Sequence, residues 1–390
     1  MIDFGEAYNL VIKNAVTMPV EKIPFTESSG RILAADIHSD MDMPPFNKSA
    51  MDGYACRMAD ISDPLRVIET IPAGKVPERK VEPGTCTKIM TGAPVPEGAD
   101  CVIMVEKTKS IDPDTIQFTE ASTAGNICFK GEDIKAGDTV LQKGSPIRAQ
   151  EIAVLASTGC HEVDVFRKPR VGVIASGTEL HEPGGELPKG AIRDSNSYQL
   201  AAQVEKSGAK AHRFGIVKDT PADIQEAIHK LEKDTDIILI SGGVSAGDFD
   251  LIPSEIQKAG YEIVFHKVRI KPGMPLLFAV KNEKYCFGLP GNPVSSFVQF
   301  EYLIKPFICA LMGRTYCPLQ VKLPVGMAIK RKKTYRDTVI PIQIRDGKIH
   351  AMEYHGSAHI NALTHADGFI KIPREVEAIK IGESADVRFI

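Results

Sequence analysis

Between Ser241 and Ser296 the chain reads SGGVSAGDFD (241–250), KPGMP (271–275) and GLPGNPVSS (288–296), three turns built from glycine, proline and small hydroxyls. The first follows the apolar run DTDIILI (234–240), and the third closes KYCFGL (284–289). Turns of this kind aim main-chain N–H groups and short hydroxyls at an anion. In an open α/β sheet, loops at the carboxyl ends of the strands line the ligand crevice. From Arg170 to about Gly313, strand-like and helix-like stretches alternate: RVGVIASG, SYQLAAQVEKSG, KAHRFGIV, ADIQEAIHKLEKD, DIILISGG. That alternation predicts a parallel-rich sheet with crossover helices. PVSSFVQFEYLIKPFICALMG then repeats apolar residues at helical spacing, opens at Asn292-Pro293 and meets Pro306, which should kink or divide the helix.

Upstream of Arg170 the texture is β-like. Runs such as TCTKIMTG and DCVIMVEKTKS are broken by Pro-Gly and Glu-Gly turns, and GEDIKAGDTVLQKGSPI reads as two short strands. Downstream of Gly313 the β pattern returns in VKLPVGMAIK, TVIPIQIRDGKIHAMEYH and IGESADVRFI. The opening FGEAYNLVIKN, followed by TESSGRILAADI, and the helical stretch 150–159 flank the first β region. At 390 residues the chain exceeds one ordinary core. The expected fold class is multidomain α/β plus β: a small discontinuous linker domain (1–45 and 145–168), an inserted β module (46–144), a central α/β domain (169–316) and a C-terminal β-barrel-like domain (317–390).

Composition excludes several function classes. With 43% hydrophobic and 25% charged residues the chain reads as a soluble globular protein, and no uninterrupted apolar stretch approaches the roughly 20 residues of a membrane span. MIDFGEAYNL carries acids and no basic leader region, so no secretory signal is expected and a cytoplasmic location is the default. A net charge of −3 without a basic block argues against a nucleic-acid partner. The eight cysteines are scattered, with no CxxC pair, and read as reduced thiols.

Several motifs carry candidate chemistry. PPFNKSAMDGYA (44–55) gathers Asn47, Ser49, Asp52 and Gly53, a set that Asx and Ser turns alone would explain; Met51 and Tyr54 beside the carboxylate suit a heterocyclic ligand. Thr91 and Gly92 precede a proline-stiffened loop, and GEDI offers Glu132 and Asp133, adjacent acids that more often form a solvated turn than a metal site. Ser176, Gly177, Thr178 and Glu179 follow the first strand of the α/β region, where hydroxyls and a backbone N–H suit a phosphate and Glu179 a cation. The dinucleotide and P-loop glycine patterns are both absent. Helix capping is a sufficient explanation for at least one of Asp194, Ser195 and Asn196, and Asp219 has the same reading. In SGGVSAGDFD, Gly242 and Gly243 permit close approach, Ser241 and Ser245 supply hydroxyls, and Asp248 and Asp250 supply hard oxygens. Carboxylates beside an anion cradle repel the anion unless a divalent cation intervenes, which implies Mg²⁺. Arg269 and Lys271 add positive charge for an oxyanion. His355 and His359 lack a third ligand and a helix between them, so zinc is not expected.

In this order, PPFNKSAMDGYA, MTGAPVPEGAD, GEDI, SGTEL, SGGVSAGDFD, KPGMP and GLPGNPVSS resemble the motifs of the molybdopterin molybdenumtransferase family, the MoeA and gephyrin E-domain type, over nearly the whole chain. The resemblance implies an elongated four-part protomer with a MogA-like α/β domain, assembled as a homodimer. It implies insertion of molybdenum from molybdate into adenylylated molybdopterin, with Mg²⁺-dependent hydrolysis of the adenylate and release of AMP. Carried over by motif, Asp52, Glu179, Asp219 and Asp250 are catalytic, and Asp52, Thr91 and Asp133 shape a pterin-facing cleft that involves the partner protomer. Ser176, Gly177, Ser241, Gly242, Gly243, Ser245, Pro290, Gly291, Asn292 and Pro293 contact substrate. Glu179, Asp248 and Asp250 hold Mg²⁺, and Lys271, Pro275, Ser295, Arg336 and Ser357 receive molybdate. A separate molybdopterin adenylyltransferase would deliver the substrate and molybdoenzymes would accept the product. The family turn KPGKP reads KPGMP here, so Met274 removes a positive charge that Arg269, Lys267 or Arg336 must supply. An adenylyltransferase and a gephyrin-like scaffold are the competing readings. The first needs neither the N-terminal β module nor the MDGYA segment, and the second finds no dedicated peptide groove in the sequence.

Overall fold

A computed structural model describes residues 1–244, 251–331, 333–353 and 356–390. Its centre is a six-stranded sheet in the order Lys210–Val217, Arg170–Ser176, Ile237–Ser241, Lys284–Leu289, Pro275–Lys281, Glu262–Lys267. The first four strands are mutually parallel, and Pro275–Lys281 runs antiparallel to both of its neighbours. Ser176 pairs with Val217, Ala175 with Ser241, and Ser241 with Leu289, so four strands end together and deliver four loops to one edge.

Alternation along the strands divides the core. Ile237 and Leu239 face one layer with Val171, Val173, Leu200 and Val204, while Ile238 and Ile240 face the other with Ile224, Ile228 and Leu231. Helix Pro221–Asp234 starts on a Thr220 side chain that accepts the Asp223 N–H, with proline in its first turn. It buries Ile224, Ala227, Ile228 and Leu231 at helical spacing. Gly172 lets it sit close, since a Cβ there would stand 2.8 Å from a Leu231 methyl.

The apolar stretch after Asn292 forms helix Pro293–Gln299, a π-helical turn Phe300–Ile304 and helix Lys305–Leu311. Pro306 therefore lies in the first turn of the last helix, and the wider turn just before it absorbs the hydrogen bond that proline cannot make. By length and composition the helix spanning residues 293–311 is long and apolar enough to cross a membrane, but 83% of the window is buried inside the protein. Glu301 and Lys305, paired at 2.8 Å, had interrupted the apolar run.

Strand Val20–Pro24 pairs antiparallel with Glu162–Phe166, and Leu33, Ile147, Leu155, Val163 and Val165 share one core beneath them. Between these segments lies a second six-stranded sheet, ordered Cys101–Met104, Gly53–Cys56, Thr85–Ile89, Leu65–Ile71, Thr115–Phe118, Thr108–Asp112. The stretch 131–147 contributes one strand, Thr139–Leu141, instead of the expected two. Turns at Gly131, Gly137 and Gly144, all at positive φ, break the rest.

Beyond the central sheet, Gln320–Pro324, Ser384–Phe389, Gly368–Ile372, Asp337–Arg345 and Lys348–Ala351 pair in succession, and a parallel bridge from Val325 to Ile349 closes the ring. Val325, Ile342, Ile349, Ile370 and Val387 fill its interior, which makes the unit barrel-like. Contacts that tie the barrel to the central α/β part include the parallel pairing of Ile270–Lys271 with Asp337 and Thr338, and the Val294 N–H, which donates to the Ser357 carbonyl at 3.0 Å.

Candidate active site

The four loops at the parallel edge interlock through backbone and short side chains. Ser176, 4% exposed, donates its hydroxyl to the Asp219 carboxylate, joining the loops that follow the two adjacent strands Arg170–Ser176 and Lys210–Val217. The Gly177 N–H donates to the Val217 carbonyl at 3.2 Å. The Glu179 carboxylate folds back over Gly177, where an added Cβ would stand 2.9 Å from both of its oxygens. The Gly242 N–H donates to the Leu289 carbonyl at 3.0 Å and links the SGG loop to the GNP turn. Gly242 takes φ +105°, and any Cβ on it would collide with the Ser176 carbonyl. Beyond it, Asn196 donates to Ser241 Oγ at 2.7 Å and to the Gly291 carbonyl at 2.8 Å.

Pro290 is buried, Gly291 and Asn292 are exposed, and Pro293 opens its helix. The Asn292 carbonyl accepts from the Ser295 and Ser296 N–H groups at 3.0 and 3.1 Å, so the turn passes directly into the helix. Ser295 is 3% exposed beneath it, and Ser357 arrives from the barrel through its contact with Val294. Lys271 is exposed, and Pro275 opens the reversed strand. Gln299 donates to the Gly273 carbonyl and pins KPGMP to the helix that begins at the GNP turn.

Of the cations proposed to offset Met274, Arg269 is engaged elsewhere, 3.1 Å from Asp3, which also binds Arg374 at 3.0 Å. Arg336 stacks on the Tyr335 ring at 4.8 Å and has no carboxylate partner among the described residues. It precedes Asp337, whose N–H donates to the Arg269 carbonyl at 3.1 Å, so Arg336 sits where the barrel edge meets Lys271.

Asp52, Thr91 and Asp133 lie in the N-terminal β region, where Thr91 bonds Asp52 directly and Asp133 bonds Met43, nine residues before Asp52. Asp52 Oδ1 accepts from the Thr91 N–H at 2.6 Å and the Thr91 hydroxyl at 2.8 Å. Those two donors hold the exposed Asp52 carboxyl below the usual carboxylate range, the backbone bond being the larger cause. The Gly92 N–H donates to the Ser49 carbonyl at 2.8 Å, the Lys130 N–H to Asn47 Oδ1 at 2.8 Å and the Asp133 N–H to the Met43 carbonyl at 3.1 Å. Met51 is 41% exposed on this face, whereas Tyr54 is only 9% exposed and belongs to the sheet's core, which corrects its reading as a ligand contact. Among the described residues, the hydrogen bonds of Asp52, Thr91 and Asp133 stay within this region and none reaches the loops at the central sheet.

Ser245, Asp248, Asp250 and His355 lie outside the described residues. Within them no group of three or more His, Cys, Asp or Glu side chains could hold a metal. Glu179 and Asp219, on either side of Ser176–Gly177, are the hard-oxygen donors of the parallel edge, and carboxylates of this kind suit Mg²⁺. Sequence reasoning missed Asn196 and Gln299 as organisers of the loops. The polar stretch DSN contained the first, hidden behind its capping explanation; Gln299 gave no signal inside an apolar helix.

Interlocked loops at the carboxyl edge of a parallel-rich sheet, with a barrel docked beside them, form the kind of crevice in which α/β enzymes bind their ligands. A profile described as a probable molybdopterin binding domain matches residues 172–310. On either side of it, the MoeA N-terminal region (domain I and II) matches residues 2–159 and the MoeA C-terminal region (domain IV) residues 323–390. The chain is 35% identical to a molybdopterin molybdenumtransferase of Staphylococcus epidermidis, covering 99% of this chain and 95% of that protein. It is 32% identical to one of Haemophilus influenzae, covering 97% and 98%. It superposes on the MoeA protein of Pyrococcus horikoshii OT3 with a TM-score of 0.88 at 32% identity, each chain fully covered. The chain therefore belongs to the molybdopterin molybdenumtransferase (MoeA) family and is an enzyme of that type.

Proposed function

We propose that the chain inserts molybdenum from molybdate into adenylylated molybdopterin, with Mg²⁺-dependent hydrolysis of the adenylate and release of AMP, in molybdenum cofactor biosynthesis. One observation carries the reading: the Ser176–Asp219 contact and the Ser241–Asn196–Gly291 contacts join the loops of the parallel edge in two pairs, and Ser357 abuts the helix start at the GNP turn from the barrel. An anion cradle beside two separate sources of cationic and hydroxyl side chains is the arrangement that this reading requires.

The nucleotide end belongs to Ser176, Gly177, Ser241, Gly242, Gly243, Ser245 and the turn Pro290–Pro293. Small residues let the main chain approach a phosphate there, and Asp219 fixes the direction of the Ser176 hydroxyl. Glu179, with Asp248 and Asp250, would hold Mg²⁺, which when bound offsets the charge of a phosphate placed among carboxylates. Asp52 and Asp250 are proposed as catalytic with Glu179 and Asp219, and Thr91 and Asp133 as pterin contacts. Because Thr91 keeps Asp52 ionised, Asp52 acts as a hydrogen-bond acceptor toward the N–H groups of a heterocycle. Lys271, Pro275, Ser295, Arg336 and Ser357 line the molybdate end, where Lys271 and Arg336 supply charge without carboxylate partners among the described residues.

A homodimer completes this proposal. The Asp52 face keeps its recorded hydrogen bonds to itself, and the resemblance assigns it to the partner's cleft. We also propose the division into 1–45 with 145–168, 46–144, 169–316 and 317–390, supported by the core that Leu33 and Ile147 share. A cytoplasmic setting fits eight unpaired thiols, of which burial pushes Cys86 up to about 12. A separate adenylyltransferase and acceptor molybdoenzymes remain the proposed partners.

The test incubates the protein with adenylylated molybdopterin, Mg²⁺ and graded molybdate, and follows AMP and pterin-bound molybdenum. Molybdate-dependent AMP release that is lost in Glu179→Gln and Asp250→Asn supports the reading. An intact adenylate at every molybdate concentration refutes it.

A further inference from the structure

Asn196 opens helix Asn196–Lys206 in a stretch, Asp194-Ser195-Asn196, where each polar residue had capping as a possible duty. The fold divides those duties. Asp194, 2% exposed, accepts from the Ser197 N–H at 3.0 Å and from the Ser197 hydroxyl, and faces Arg213 at 3.8 Å. The cap is complete without Asn196. Ser195 is exposed and makes no side-chain cap bond.

Asn196, only 8% exposed, spends both amide hydrogens on different loops, Ser241 Oγ at 2.7 Å and the Gly291 carbonyl at 2.8 Å. Its Oδ1 is buried and has no partner among the described residues. The amide cannot be reversed to satisfy that oxygen, because the Gly291 carbonyl accepts and never donates. A buried acceptor without a donor lowers stability, and native folds retain few of them. The residue is thus poorly arranged for stability and well arranged for joining two loops. The backbone bond from Gly242 to Leu289 already holds the loops at the strand ends, and Asn196 adds a second link where Gly291 approaches Gly242.

We infer that Asn196 is a positioning residue for the adenylylated substrate: its side-chain amide holds the SGG loop and the GNP turn at one separation, so that both present a single surface to the phosphates. The identity of the substrate rests on the transferase reading; the link itself does not.

The experiment compares full-length protein with Asn196→Ala, Ser241→Ala, the double variant and Asn196→Asp. It reads KM and kcat for AMP release, thermal stability, and hydrogen–deuterium exchange over 237–244 and 288–296. In Asn196→Ala, KM for adenylylated molybdopterin rises about tenfold while kcat stays within about threefold, and both segments exchange faster. The double variant is no worse than Asn196→Ala, since the two groups share one interaction. In Asn196→Asp the Ser241 hydroxyl reorients and donates to the carboxylate, but nothing donates to the Gly291 carbonyl. Exchange then rises more over 288–296 than over 237–244. Unchanged KM and exchange in Asn196→Ala would overturn the inference, as would a loss of thermal stability with equal acceleration across the whole chain. If the unaltered protein releases no AMP, the transferase reading fails, and the exchange pattern still decides whether Asn196 links the loops.

Discussion

Gly242→Ala is the sharpest single test of how the parallel edge is built. Gly242 has φ +105°, outside the regions that an L side chain occupies comfortably, and holding alanine there costs about 1–3 kcal/mol. The added Cβ would also overlap the Ser176 carbonyl oxygen and stand 3.2 Å from its carbon. Backbone atoms cannot rotate away, so the SGG loop must move by about 1 Å to restore ordinary contact distances. Such a shift strains the Gly242–Leu289 and Asn196–Ser241 bonds together. The fold itself survives, because the strain is smaller than the roughly 5–15 kcal/mol that typically stabilises a domain. The substrate surface does not, and a misplacement of about 1 Å commonly reduces turnover by about 100-fold. We expect kcat/KM for AMP release to fall at least tenfold, with about 1–3 kcal/mol lost in urea unfolding of the α/β part. Gly84→Ala is the control: Gly84 also has positive φ, +75°, but no atom lies within 4 Å of its added Cβ. It should lose stability and keep its activity. A Gly242→Ala protein with kcat/KM within twofold of the unaltered enzyme would refute the reasoning, because the collision would then have no consequence at the site.

Three further outcomes follow from the same geometry. Thr91→Val removes the hydroxyl donor to Asp52 and should move the Asp52 carboxyl upward toward its ordinary value, read by carboxyl NMR titration. Because the folded-state value is depressed, the Thr91 bonds add stability above the unfolded carboxyl value of 3.8 and lose it as pH falls through the folded value; the variant should lose it at a higher pH. Arg336→Ala should raise the molybdate concentration for half-maximal AMP release about tenfold, while Arg269→Ala leaves it nearly unchanged because Arg269 pairs with Asp3. An Arg269 effect as large as that of Arg336 would reverse their assignment. Leu231→Ala, which empties a 3% exposed position against Gly172, should cost about 2–5 kcal/mol in urea unfolding, and a loss below about 1 kcal/mol would show that the helix is not packed against the sheet there.

Local patterns made the architecture legible. Strand and helix signals from Arg170 onward, the Asn292-Pro293 start and the β texture on both sides depend on residues a few positions apart, and each formed as its neighbours dictate. Reading failed where local signals tied or where distant groups decided. The segment 131–147 has strand-like residues, but three positive-φ glycines leave it only Thr139–Leu141. Tyr54 follows Asp52 by two residues, yet it lies inside strand Gly53–Cys56, where its ring packs into a core with Cys56, Cys86 and Ile103.

The sequence by itself determined the family and the residue types at the site, because glycines at close approaches, carboxylates and turn prolines are recorded in order along the chain. Tertiary structure alone decided which of them act together. Nothing local distinguishes Arg269 from Arg336 as a free cation, since Asp3 lies more than 260 residues from Arg269 and the Asp3–Arg269 pair forms only when the chain folds. Likewise, Asn196 reads as a helix cap until Asp194 takes that duty and the ends of two strands, carrying Ser241 and Gly291, arrive within reach of its amide. Hydrogen-bond partners are set by where strands end in space, and a sequence states only which groups are able to bond.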